Sequence, residues 1–297
     1  MKMSEGIMTL WFILTGLSLI FIIFDIPKTP ESTVLKWAFV ILVVFTGPLG
    51  AFLYVLGCRE PLKGMHEKYV SSTWRQVLGS TMHCAAGDGV GIITGAALGG
   101  VLSLSVGSEF VLEYALGFGF GWTFFQAFAM RNMAGGSYIR SLKETFIPEL
   151  LSMNMLMTGM FATTKLLTTR IEGDADPLQP AFWFTMSMAL IVGFTFAYPV
   201  NWWLVVHHMK HGMLTVRPGA DERAAHNAHE APMAHERTKE KVTPATGSTA
   251  STAVKGMSGH DAHGGDEKPG LATIMVMTLI TFTALGGALW FFGGFDK

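Results

Sequence analysis

The sequence predicts an all-α protein, a polytopic membrane helical bundle of about seven transmembrane helices with its N-terminus cytoplasmic. Half of the 297 residues are hydrophobic, and only 14% are charged, against roughly 25% in an ordinary soluble domain. Apolar runs long enough to cross ~30 Å of hydrocarbon recur along the whole chain. Lysine and arginine gather between alternate runs, the asymmetry that orients a membrane protein.

The runs lie at about 7–26, 37–57, 82–106, 109–130, 146–167, 180–206 and 271–294. The first is too long for the apolar core of a secretory signal and lacks a small-x-small cleavage site, so it reads as a retained helix. Asp88 and Asn154 interrupt the third and fifth, and six to eight crossings are compatible with the pattern. Lys2, the Arg59–Arg75 stretch, Arg131, Arg140, Lys143 and the segment 207–268 fall on the side taken as cytoplasmic. Lys28, Lys36, Lys165, Arg170 and Lys297 fall on the other, together with the acidic turn Glu172–Pro177. Residues 1–70 thus read as two N-terminal transmembrane helices and 71–213 as a four-helix membrane core. Residues 214–269 have no apolar period and are rich in Ala, His, Thr, Ser and Gly, a disordered cytoplasmic linker. Residues 270–297 supply a last transmembrane helix, and the expected location is the plasma (inner) membrane.

Several function classes drop out. A formal net charge of −1 with scattered cations argues against a nucleic-acid surface. Cys58 and Cys84 are too few for a disulfide framework. No Gly-x-Ser-x-Gly elbow, phosphate-binding Gly-rich loop, His-Glu-x-x-His or Cys-x-x-Cys-His occurs, so the chain does not read as an enzyme.

Chemistry concentrates in the third run, Met82-His83-Cys84-Ala85-Ala86-Gly87-Asp88, followed by glycines at 91, 95 and 99. At ~100° per residue the polar trio and the ridge Gly87, Gly91, Gly95, Gly99 share one side of the helix. Such a ridge admits a close neighbour, within the bundle, in a homo-oligomer or in a membrane partner. An ionised Asp88 facing lipid costs several kcal/mol, so it points inward. In the fifth run Glu149, Met153, Met157 and Met160 form a second stripe, with one carboxylate and three thioethers. Methionine also serves as an adaptable core filler, so the stripe fits either a path for a soft ion or ordinary packing.

Depth joins the stripes. His83, Cys84, Asp88 and Glu149 fall in the cytoplasmic leaflet, and Gln126, Tyr198 and Asn201 lie at a similar level, with Asn154 further in. Imidazole, thiol and carboxylate suit zinc or copper; carboxylate and imidazole also suit a proton relay; a purely structural polar cluster that sets helix register fits as well. Beyond Pro199, which is expected to kink the sixth helix, His207 and His211 are spaced to share a helical face as metal ligands. Further histidines follow at 226, 229, 235, 260 and 263.

The block from about Ser72 to Met213 resembles the bacterial multi-pass membrane family catalogued as domain of unknown function 4396. The resemblance rests on Thr81-Met82-His83-Cys84-Ala85-Ala86-Gly87-Asp88, on Phe125-Gln126 and on Tyr198-Pro199-Val200-Asn201-Trp202-Trp203. Many proteins that this block resembles carry a second cysteine where Asp88 stands, so the ligand at this position is harder. The resemblance implies a membrane helical bundle and no particular activity. The expected function is binding and passage of a transition-metal ion, copper before zinc, through His83, Cys84, Asp88, Glu149 and Met153. A non-transporting scaffold or accessory subunit and a proton-coupled carrier of a small solute are the alternatives.

Overall fold

The computed structural model describes residues 3–29, 31–59, 69–128, 131, 136–212 and 269–293. Among them seven long helices occur and no strand: α1 (Met3–Asp25), α2 (Thr33–Gly57), α3 (Thr73–Val101), α4 (Val106–Phe120), α5 (Tyr138–Thr168), α6 (Pro180–Val206) and α7 (Leu271–Phe291). A π-helical segment, Gly121–Phe128, continues α4. Ser32, Ser105 and Ser137 cap α2, α4 and α5, each accepting from a backbone amide three residues on. The linker expected at 214–269 and its histidines lie outside the described residues, apart from residue 269.

Five helices are long and apolar enough to cross a membrane: Glu5–Lys28, Thr33–Gly57, Thr73–Val101, Pro180–Val206 and Leu271–Phe291. α4 is short without its π-helical extension, and α5 carries Arg140, Lys143, Glu144 and Glu149 in its first half. On α1, Leu10, Ile13, Leu17, Ile20 and Phe24 are exposed, as are Leu271, Met275 and Leu279 on α7, an outer surface suited to lipid.

α2 is not the one straight helix expected over 37–57. At Gly47 the backbone turns through φ 55°, ψ −130°, a conformation that strongly favours glycine. The chain then doubles back. Phe39 and Tyr54 stack edge to face with centroids 5.3 Å apart, where fifteen residues of straight helix would separate them by about 22 Å. The first arm, Thr33–Thr46, rises only about 21 Å, short of the ~30 Å core. Both feet of the hairpin stand beside the end of α1. Asp25 accepts from the Tyr54 hydroxyl at 2.9 Å and pairs with Arg59 at 3.0 Å. The tip lies level with Trp11 and Thr15, midway along α1.

The rest is an antiparallel bundle. α4 follows α3, with Gly87, Gly91, Gly95 and Gly99 set against Phe125, the Leu116 carbonyl, the Glu113 backbone and the Glu109 side chain. The glycine ridge therefore seats α4 of the same chain. α6 crosses α5 where Gly159 meets Gly193 backbone to backbone. α7 lies along α5, where Asn154 Nδ2 donates to Thr281 Oγ1 at 3.3 Å.

Candidate functional site

α6 ends at Val206, and the next four residues reverse the chain. His207 N donates to the Trp203 carbonyl, and His208 adopts φ 54°. The amides of Met209 and Lys210 then both reach the Leu204 carbonyl, at 2.9 and 3.1 Å. This left-handed turn satisfies orphan carbonyls at the helix end and folds Lys210 under the bundle, where it is only 8% exposed. It also corrects the expected histidine pair. His207 and His211 share no helical face because the helix has already stopped, and His207 Nδ1 is bonded to the Trp203 carbonyl at 2.8 Å.

The Lys210 ammonium enters a cluster drawn from α3, the π-helical segment, α5 and α6. It donates to Cys84 Sγ and, at 2.8 Å, to Asn201 Oδ1, and it stands 3.7 Å from Glu149 Oε2. Asn201 Nδ2 donates in turn to Ser152 Oγ at 2.8 Å. Cys84 Sγ donates to Glu149 Oε2 at 3.1 Å and accepts from Gln126 Nε2 at 2.9 Å. Burial pulls the Lys210 ammonium down, but the neighbouring Cys84, Glu149 and Asp88 outweigh it and hold its pKa above the ordinary lysine value. Lys210 is thus a buried cation stabilised by its partners.

One step deeper, the Asp88 and Glu149 carboxyls converge on Gly121, where the π-helical segment begins, and a Cβ there would overlap both. Both are fully buried. Among the described residues, neither oxygen of Asp88, nor Oε1 of Glu149, receives a hydrogen bond from any other group. The two carboxyls thus face each other in a site that no other described donor enters. His83 stands at the margin: its Nε2 donates to the Phe125 carbonyl at 3.0 Å, which leaves Nδ1 a buried acceptor with no partner.

Of the residues singled out in the sequence, the structure brings together Cys84, Asp88, Glu149, Gln126 and Asn201, with His83 alongside. The others stand apart. Met153 packs toward Gly117 of α4 and Met160 against Gly193 of α6, while Met157 is buried in the core. The Tyr114 hydroxyl bonds Asn154 at 2.6 Å. Tyr198 donates to the Trp74 carbonyl at 3.2 Å. Among the described residues no three His, Cys, Asp or Glu side chains converge as a metal ion requires, and a lysine occupies the thiol's free side.

Sequence reasoning misses Lys210 because a cation four residues beyond a helix end reads as a topological signal. Its turn carries no glycine, the usual mark of a left-handed cap.

No curated protein and no solved structure matches the chain. A family model described as a domain of unknown function, DUF4396, matches residues 73–210, which run from the first residue of α3 to Lys210 and contain every member of the buried cluster.

Proposed function

We propose that the chain is a carrier of the plasma membrane that couples the movement of a small solute to protons. The Asp88–Glu149 pair is its proton-binding element, and Lys210 is the fixed counter-cation. The observation that carries this reading is the meeting of two fully buried carboxyls over Gly121 with three oxygens that no other donor serves. With one proton between them the pair bears a single negative charge, which Lys210 balances. Moving that proton changes the charge of the site and biases the bundle between two packings. Infrared difference spectra of the purified chain are expected to show a protonated carboxyl band at neutral pH that disappears in Asp88→Asn/Glu149→Gln. If the band is absent, the reading fails.

A second reading, passage of a transition-metal ion, copper before zinc, is favoured by the Cys84 thiol lying 3.1 Å from Glu149. It requires the Lys210 ammonium to withdraw. A missing carboxyl band together with near-stoichiometric copper that is lost in Cys84→Ala would establish it in place of the first.

The hairpin sets the topology within this proposal. Lys28, Lys36, Arg59, Arg75, Arg140, Lys143 and Lys210 lie toward one end of the bundle, and Lys165 and Arg170 toward the other. The positive end is cytoplasmic. Six helices then cross, α2 enters and leaves on the cytoplasmic side, and the first turn of α1 faces outward, not inward as the seven-span pattern suggests. On intact cells, a membrane-impermeant maleimide is expected to label Ser103→Cys and to leave Lys28→Cys unlabelled. Labelling of Lys28→Cys would restore a single-pass α2.

A further inference from the structure

At the opposite end of the bundle from Lys210, α4, α5, α6 and the turn before α6 enclose a cavity of about 300 Å³. Its wall carries Glu109 and Glu113, one turn apart on α4, and Asp174, with Thr168 Oγ1 bonded to Asp174 Oδ2 at 2.7 Å. Thr185 also lines it; the residue is 1% exposed, and its buried hydroxyl has no hydrogen-bond partner among the described residues. A buried hydroxyl without a partner costs free energy that a bound donor would recover. Within the same cavity Lys165 places its ammonium 5.5 Å from the centroid of the Phe161 ring, and Phe161 stacks edge to face with Phe110 at 5.6 Å. The chain itself thus demonstrates that a primary ammonium is accommodated there, against an aromatic face and among carboxylates.

We propose that this cavity is the outer loading site for a small organic amine carrying ammonium groups, with Lys165 as a tethered stand-in that the solute displaces. With Lys165 displaced, the three carboxyl groups of the cavity offer acceptors for both ends of a short diamine. Glu109 and Glu113 accept from its ammonium groups, Phe110 and Phe161 hold the alkyl segment, and Thr185 Oγ1 takes a further N–H. Below the cavity the face of α4 continues to Gly117, which Ile92 and Met153 close off, and then to Gly121 beneath Asp88 and Glu149. The apolar plug of Ile92 and Met153 separates the loading site from the proton-binding pair, as a carrier requires. The assignment deepens the carrier reading by naming its solute class, but binding at this cavity stands without that reading.

The test is isothermal titration of the detergent-purified full chain with putrescine, a four-carbon diamine. Glu113→Gln is expected to weaken binding about tenfold or more, a charge-assisted hydrogen bond being lost, and Thr185→Val to weaken it by a smaller factor. Lys165→Met removes the competing ammonium, keeps an apolar stem and is expected to tighten binding, which a misfolded protein cannot do. Asp88→Asn is expected to bind putrescine as the parent does while losing proton-coupled uptake into liposomes, so failure of the carrier reading and failure of this site are distinguishable. No binding by either the parent or Lys165→Met overturns the proposal. So does Mn²⁺ binding at the same carboxylates that putrescine does not displace, because the site would then serve an inorganic cation.

Discussion

Lys210→Met is expected to destabilise the protein by about 3–5 kcal/mol, the usual consequence of removing one member of a buried, hydrogen-bonded ion pair. The ammonium donates to Cys84 on α3 and Asn201 on α6 and stands 3.7 Å from Glu149 Oε2 on α5. Methionine fills much of the volume and donates nothing, so Asn201 Oδ1 loses its donor and the acidic pair loses its counter-charge. Arginine does not rescue, because a planar fork does not fit where a compact ammonium meets a sulfur and an amide oxygen. Thermal unfolding in detergent measures the loss. Adding Glu149→Gln to Lys210→Met is expected to recover part of it, since the uncompensated carboxylate goes with it; such non-additivity marks a direct interaction. An unchanged Tm in Lys210→Met would mean that the side chain lies outside the bundle.

Gly91→Val is the second large effect. A Cβ on Gly91 overlaps the Leu116 carbonyl and the Cα of Gly117, both of them backbone. A flexible side chain would swing aside, but here α4 itself has to move. Overpacking of this kind costs about 1–3 kcal/mol or more, and a β-branched residue at a backbone contact belongs at the upper end. Displacing α4 also lifts Gly121 from the Asp88 and Glu149 carboxyls and shifts Glu113, so proton coupling and amine binding are expected to fall together. Gly119→Ala is the control: nothing lies within 4 Å of the added Cβ, and the expected change is within about 0.5 kcal/mol. Equal losses in the two variants would mean that α3 and α4 are not held by the glycine ridge.

Much of the buried cluster is legible in the order of the residues. Cys84 and Asp88 are four positions apart, so any helix through them places both on one side together with the glycines. Depth from the helix ends puts Glu149, Gln126 and Asn201 at the same level, and the structure joins these residues with Cys84 and Asp88. The same reasoning fails for the methionine stripe, because a shared face does not determine which neighbour each side chain meets. Met153 reaches α4 and Met160 reaches α6. It fails for His207 and His211 because helical spacing does not continue past the last helical residue.

Composition and the 3.6-residue period are local properties, and they suffice for the helical class, the apolar runs and the inward-facing polar side chains. Three features depend instead on which segments meet in space. α2 folds back at Gly47, although its run reads equally apolar as one helix or as two arms. The glycine ridge seats α4 of the same chain, an outcome set by which helix arrives there. Lys210 returns beneath Cys84 through a left-handed turn at a histidine, a reversal held by packing and hydrogen bonds between residues far apart in the chain.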